Sequence, residues 1–69
     1  MENNIFKTRL KDLREENNLT QIKLSQETGI SQAGIAKWEK GTRTPSMECL
    51  IILAKYFCVS IDYLVGLVD

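Results

Sequence analysis

The chain has 69 residues with nine basic and nine acidic side chains, no histidine and two cysteines. This length predicts one domain, residues 1–69, and excludes a second core. No apolar run is long enough to span a membrane, the N-terminus has no signal-peptide pattern, and two cysteines without histidine match no recognised zinc pattern. We therefore expect a cytoplasmic protein with free thiols, no metal and no cofactor.

The first predicted helix covers residues 5–17. Its large apolar side chains, Phe6, Leu10 and Leu13, recur at intervals of four and three residues. At 100° per residue this spacing places them on one face of the helix. That face is expected to lie in the core.

Two shorter predicted helices follow, residues 21–28 and residues 32–40, and both have signals at their ends. Thr20 and Ser31 can cap them, because a hydroxyl oxygen accepts an otherwise unpaired backbone N–H. Gly29 permits the positive φ that ends the first of the two. Two short helices joined by a tight glycine turn form a helix-turn-helix, whose usual use is to place the second helix in the DNA major groove.

The last two predicted helices cover residues 47–57 and a short segment after Ser60. Ser46 can cap the longer one, and Asp62 lies in the first turn of the shorter one, where the helix dipole favours an anion. A loop, residues 41–45, separates them from the third helix. Five helices joined by short loops predict an all-α compact domain.

The whole pattern resembles a known protein family. The residues that carry the resemblance are, in chain order, Leu13-Arg14, Leu19-Thr20-Gln21, Leu24-Ser25, Gly29-Ile30-Ser31, Ile35, Trp38-Glu39-Lys40-Gly41, Pro45-Ser46, Leu50, Leu53-Ala54, Val59-Ser60 and Asp62-Tyr63-Leu64. With them the chain is similar to the Cro/repressor helix-turn-helix proteins, the λ-repressor-like group that includes xenobiotic-response-element-type regulators. The resemblance implies a compact five-helix λ-repressor-like DNA-binding domain whose helix-turn-helix is formed by helices 2 and 3.

Ile35 and Trp38 mark the inward side of the third helix, so the side chains on its opposite side are candidates for contact with a partner. The resemblance assigns DNA base contacts to positions there, which are Gln32, Ala33, Ala36 and Lys37. A glutamine can bond adenine N6 and N7 together, a lysine can bond guanine O6 and N7, and a methyl group can touch a thymine methyl. The alternative interpretation is an ordinary solvated polar face.

Polar side chains also flank the third helix. In the family, such positions bind DNA phosphates on either side of the groove, which fixes the register without reading sequence. The residues to which the resemblance gives this role are Thr20, Gln21, Lys40, Thr42 and Arg43. Plain solvation is the alternative for these residues.

Arg14 lies at the edge of the buried stripe of the first helix, and Glu39 lies beside the inward side of the third. The family often pairs an arginine and a glutamate at these two places. The resemblance therefore implies a bidentate bond that braces the third helix against the first. The alternative is two unrelated surface charges.

A second apolar stripe on the fourth helix includes Ile52 and Tyr56, away from the side expected to face the core. Tyr63 and Leu67 add apolar surface at and beyond the last helix. We expect these four residues to form the interface of a homodimer, which would place two copies of the third helix about 34 Å apart. A fourth helix buried on several sides, in a protein that pairs only on DNA, is the alternative.

Nothing in the sequence supports an enzyme, because it has no histidine general base, nucleophile motif, metal cluster or glycine-rich phosphate loop. The leading hypothesis is a phage- or bacterial-type transcriptional repressor that binds double-stranded DNA as a homodimer on a palindromic operator. The alternative is a helix-turn-helix module that binds a protein partner. The net charge of zero favours that alternative slightly, whereas eight basic against six acidic residues in positions 1–45 favour DNA.

Overall fold

Five α-helices make up the regular structure of residues 3–69, the part of the chain that the computed structural model describes, with side chains described from residue 5 onward. Their bounds are Asn3–Glu16 for α1, Gln21–Thr28 for α2, Gln32–Lys40 for α3, Met47–Phe57 for α4 and Ile61–Val65 for α5. No strand occurs among these residues, so the all-α prediction is confirmed. None of the described helices combines the length and apolarity needed to cross a lipid bilayer.

Serine or threonine precedes each of the helices α2 to α5, and its side-chain oxygen accepts a hydrogen bond from a backbone N–H in the first turn. The four capping residues are Thr20, Ser31, Ser46 and Ser60. Each bond satisfies a donor that has no partner inside the helix and contributes about 1 kcal/mol. Each capping residue and its donor are only three positions apart in the sequence, so the signal can be recognised locally. The predicted bounds of α2, α3 and α4 accordingly agree with the structure.

The first helix differs from its prediction at both ends, since it covers Asn3–Glu16 rather than residues 5–17. Its end is set by Asn18, which has a left-handed φ of 57°. The Leu19 N–H then donates to the carbonyl of Arg14 at 2.9 Å. Asparagine tolerates this conformation better than most residues, so the helix stops without a glycine.

The core is formed by apolar side chains from all five helices. α1 packs against α3 and α5, and α2 packs against α3 and α4. Phe6 and Trp38 meet edge to face, with ring centroids 6.1 Å apart. The side chains with almost no exposure are Phe6, Leu10, Leu24, Ile35, Leu53 and Leu64. Truncating one of them to alanine would cost about 2–5 kcal/mol, so the core holds α3 firmly against its neighbours.

Candidate nucleic-acid interface

The turn between α2 and α3 is held by side-chain hydrogen bonds to the backbone. The Ser25 hydroxyl donates to the carbonyl of Ile30 at 2.5 Å, and the Thr28 hydroxyl donates to the carbonyl of Leu24 at 2.8 Å. The Thr28 oxygen also accepts from the Ile30 N–H at 3.3 Å. Leu24 and Ile30 are buried in the core, and their packing fixes the inner side of the turn as well. α3 therefore leaves the turn in one direction relative to α2.

The outward side of α3 is open to solvent. Gln32, Ala33 and Lys37 are exposed, and Ala36 is half-buried. Within residues 3–69, neither Gln32 nor Lys37 makes a side-chain hydrogen bond or an ion pair. Their polar groups are free to bind a partner, and the two small side chains allow close approach.

A polar cleft of about 260 Å³ lies between the first turns of α3 and the loop that follows the helix. Lys37 and Arg43 both line it, so two positive charges border one cleft. Gly34 also lines it, and a β-carbon there would lie 3.1 Å from the Ser31 hydroxyl, closer than an ordinary contact. The missing side chain keeps the cleft wide, and cations beside hydroxyl groups can bind an anion.

Two of the residues expected to contact phosphates are used by the helices themselves. The oxygen of Thr20 accepts from the backbone of α2 at 3.0 Å, which leaves its hydrogen available. The hydroxyl of Thr42 donates to the carbonyl of Lys37 at 3.2 Å, so its one hydrogen is occupied. Lys40 and Arg43 are exposed, and no described carboxylate forms an ion pair with either.

Arg14 and Glu39 form a bidentate pair between α1 and α3. Arg14 Nε donates to Glu39 Oε2 at 2.7 Å, and Nη2 donates to Oε1 at 2.8 Å. The third guanidinium nitrogen, Nη1, donates to the carbonyl of Leu19 at 2.8 Å. The hydrogen bond with Glu39 raises the pKa of Arg14 against the opposing effect of burial. The pair ties α3 to α1 and to the segment that precedes α2.

Gln21 joins this pair, because its Nε2 donates to Glu39 Oε1 at 3.1 Å. The side chain expected to contact a phosphate is therefore half-buried and turned toward α3. Its backbone N–H lies at the first position of α2, where no intrahelical acceptor exists. That N–H is the donor of Gln21 best placed to reach a phosphate, and the contact stays a prediction.

Arg9 of α1 holds the segment around α5, a contact that sequence reasoning missed. Its Nη1 donates to the carbonyls of Tyr63 and Val68, the latter at 2.6 Å. Its guanidinium carbon lies 4.2 Å from the centre of the Tyr63 ring. Arg9 is separated from Tyr63 by 54 positions and from Val68 by 59, so no local sequence pattern could have indicated these contacts.

The four residues expected to form a dimer interface belong to α4, to α5 and to the segment after α5, and this role stays a prediction. Tyr56 lies toward α2, where its hydroxyl donates to Glu27 at 3.4 Å, whereas Tyr63 lies against α1. Desolvation, and then the charge of Glu27, raises the pKa of Tyr56. Ile52 packs half-buried against the core, and Leu67 is 74% exposed. Helical angles place residues on a face, but they do not tell which neighbouring helix covers that face.

An apolar groove of about 530 Å³ runs between the start of α4 and α5. Ile61 and Val65 line it as half-buried walls. Met47 and Leu67 also line it and are 61% and 74% exposed. Leu67 is the one expected interface residue that borders this groove.

Known proteins are similar to this chain in sequence. Residues 10–64 match the family described as helix-turn-helix, of the Cro/C1 type. The HTH-type transcriptional activator BcrR of Enterococcus faecalis is 42% identical over 61 residues, which cover 88% of this chain and 30% of BcrR. The cryptic phage CTXphi transcriptional repressor RstR of Vibrio cholerae is 34% identical over 62 residues, covering 90% of this chain and 56% of RstR. The uncharacterized HTH-type transcriptional regulator MJ0272 of Methanocaldococcus jannaschii is 39% identical over 57 residues, covering 83% of this chain and 86% of that protein.

The chain thus spans about a third to about half of the length of the first two of these relatives. The family match includes the whole of α2 and α3, the turn between them and both residues of the Arg14–Glu39 pair. By this match over most of its length, the chain belongs to the Cro/C1-type helix-turn-helix family.

Proposed function

We propose that this chain is a sequence-specific DNA-binding domain of a transcriptional regulator, with α3 placed in the major groove of double-stranded DNA. One observation carries the proposal. α3 is held on its inner side by the core and the Arg14–Glu39 pair, while the side chains of Gln32 and Lys37 on its outer side have no partner among the described residues. A fixed helix with free polar groups meets base edges at a low entropic cost. The names of the relatives, which are transcriptional regulators, support the same function.

The base-specific hydrogen bonds would come from Gln32 and Lys37, because glutamine matches adenine and lysine matches guanine in the major groove. Ala33 and Ala36 would approach the bases closely and touch thymine methyl groups. When a helix-turn-helix binds DNA, the start of its second helix reaches deepest into the major groove, so Gln32 would read a central base pair of the half-site.

The DNA backbone would be bound on both sides of α3. Thr20 and the backbone N–H of Gln21 would donate to a phosphate at the start of α2, where the helix dipole favours an anion. Lys40 and Arg43 would bind phosphates beyond the other end of α3. Thr42 would support this end through its bond to the helix rather than by donating its hydroxyl.

We further propose a homodimer on a palindromic operator. The apolar groove supports this, because two copies related by a two-fold axis would bury the exposed Met47 and Leu67 against each other. The groove begins at Met47, shortly after the loop that carries Arg43. Such a pair could keep both copies of α3 on one side of the dimer, about 34 Å apart.

Repression is the direction of regulation that we propose, through occupation of DNA that transcription needs. RstR is named a repressor and supports this direction, whereas BcrR is named an activator. A domain that occupies a stretch of DNA blocks access to it by binding alone, so this direction of regulation requires no additional interaction surface.

Selection of bound duplexes from a random pool tests the reading face. Gln32→Ala should relax the preference at one base pair and Lys37→Ala at another, each costing about 1–3 kcal/mol against the preferred site. Arg43→Ala should weaken binding to all sequences similarly. Gln26→Ala removes an exposed glutamine of α2 and is the matched control. If neither Gln32→Ala nor Lys37→Ala changes the selected sequence or its affinity, the proposed reading face is wrong.

A second candidate function is favoured by one observation, the net charge of zero. Non-specific DNA affinity comes from neutralised phosphates, so a neutral chain binds random DNA weakly. A module whose outward α3 face binds a protein partner would share that property. A steep loss of duplex affinity with rising salt supports the DNA-binding function, and absence of binding to every duplex in the pool supports the protein-binding module.

A further inference from the structure

We propose that Lys7 of α1 is a further contact to the DNA phosphate backbone, which extends the interface beyond α2, α3 and the loop after α3. This inference rests on the proposed DNA-binding function. The Lys7 side chain lies across the chain at the end of α3, with Cδ, Cε and Nζ at 3.2, 3.9 and 3.7 Å from the place of a β-carbon on Gly41. The missing side chain of Gly41 makes this position possible. The ammonium group is thereby held next to the segment that carries Thr42 and Arg43.

No carboxylate in the described part of the chain neutralises Lys7. The ion pairs found among residues 3–69 belong to other cations, Arg14 and Lys23. Lys40 and Arg43, at the same end of α3, also form no ion pair with any described carboxylate. Positive charges gathered without a carboxylate repel one another, and an approaching anion removes that repulsion.

Lys11 lies one turn after Lys7 on the same side of α1 and is exposed. Among the described residues it forms no ion pair. Arg14, about one turn further, is neutralised by Glu39, so its charge is not available to an anion. Lys7 and Lys11 therefore extend the unneutralised positive charge from the loop after α3 along the start of α1.

A structural role for Lys7 would explain its position differently, because a cation stabilises the C-terminal end of a helix through the helix dipole. The two roles differ in the salt dependence of DNA binding. A phosphate contact releases a condensed counterion, so its loss changes the slope of affinity against salt, whereas loss of a helix-stabilising charge changes the unfolding temperature.

The test measures Kd of the full chain for a mixed-sequence duplex over a series of salt concentrations. Each neutralised phosphate contributes about 0.9 to the slope of log K against log salt, so Lys7→Gln should reduce the slope by about 0.9 per protein copy and weaken binding at low salt. Lys7→Arg keeps the charge and should keep both quantities. Lys55→Gln removes an exposed charge of α4 and controls for net charge.

An unchanged slope in Lys7→Gln, together with a reduced slope in Arg43→Gln, would overturn this contact and leave the proposed function intact. Equal effects of Lys7→Gln and Lys55→Gln would also overturn it, because net charge alone would then account for the change. A lower unfolding temperature with an unchanged slope would restrict Lys7 to stabilising the end of α3. A wild-type chain that binds no duplex would overturn the proposed function itself.

Discussion

Replacing Glu39 by glutamine should reduce the free energy of unfolding by about 2–4 kcal/mol. The change keeps the shape of the side chain, but it removes the charge opposite Arg14 and turns one acceptor into a donor that faces the guanidinium. The side chains of Arg14 and Glu39 are 12% and 7% exposed, and losing one partner of a buried pair costs about 3–5 kcal/mol. Residual exposure and the surviving bond from Arg14 to Leu19 lower the expected figure slightly.

Urea unfolding followed by the fluorescence of Trp38, the single tryptophan and a buried one, measures this loss. A domain of this size has a total stability of about 3–10 kcal/mol, so the shift in midpoint should be large. Glu27→Gln is the matched control, because Glu27 and Lys23 form an exposed pair with side chains 43% and 56% accessible. That control should cost less than about 1 kcal/mol.

A double-mutant cycle with Arg14→Gln separates the pair from its surroundings, and the double variant should be less destabilised than the sum of the single ones. Because the pKa of Arg14 is raised by folding, its stabilising contribution is complete below its ordinary pKa and is lost only as pH rises through the higher folded value. Changes of pH around neutrality should therefore leave the contribution of Arg14 to the free energy of unfolding unchanged. If Glu39→Gln costs no more than Glu27→Gln, or if the cycle is additive, the reasoning from burial is refuted.

Three further outcomes are expected. Gly66→Ala should destabilise the protein by more than Gly29→Ala in urea unfolding. Both glycines have a positive φ, but only at Gly66 would the new β-carbon lie 2.7 Å from Ile5, and equal losses of stability would contradict this reasoning. Cys58→Gly should stabilise by about 0.5–1 kcal/mol, since Cys58 ends α4 with a φ of 57° that an L-residue adopts at a cost, and a lower midpoint would oppose that account. Leu67→Lys should shift the protein from dimer to monomer in sedimentation with its helical circular dichroism intact, and a wild-type monomer at high micromolar concentration would argue against the dimer.

The helix-turn-helix could be predicted from the sequence because its signals are short in range. Thr20 and Ser31 each cap a helix within one turn, and Gly29 ends α2 with a φ of 78°. Ile35 and Trp38 are buried as their spacing indicated. These features depend on neighbours in sequence, so elementary rules of helix termini and periodicity are sufficient to find them.

The contacts between distant segments could not be predicted in the same way. Arg9 donates to the carbonyl of Tyr63, which lies 54 positions later in the chain, and the sequence around neither residue indicates this contact. The neighbours of Tyr56 and Tyr63 could not be predicted for the same reason, since the packing of α2 and α1 decides what lies beside each ring. The DNA proposed for the exposed residues of α3 lies outside the chain, so no contact within the chain could indicate their role.

The packing of α1 against α5 has a consequence for synthesis of the chain. Leu64 in α5 has no exposed surface, and Arg9 in α1 bonds to the carbonyl of Tyr63, so the first helix is not fully covered until the last one is present. A ribosome adding about 5–20 residues per second takes several seconds over this chain, whereas helical domains with mostly local contacts fold in microseconds to milliseconds. Helices as short as α2, α3 and α4 are marginal without tertiary packing, so the nascent chain should fold rapidly only after α5 has left the exit tunnel.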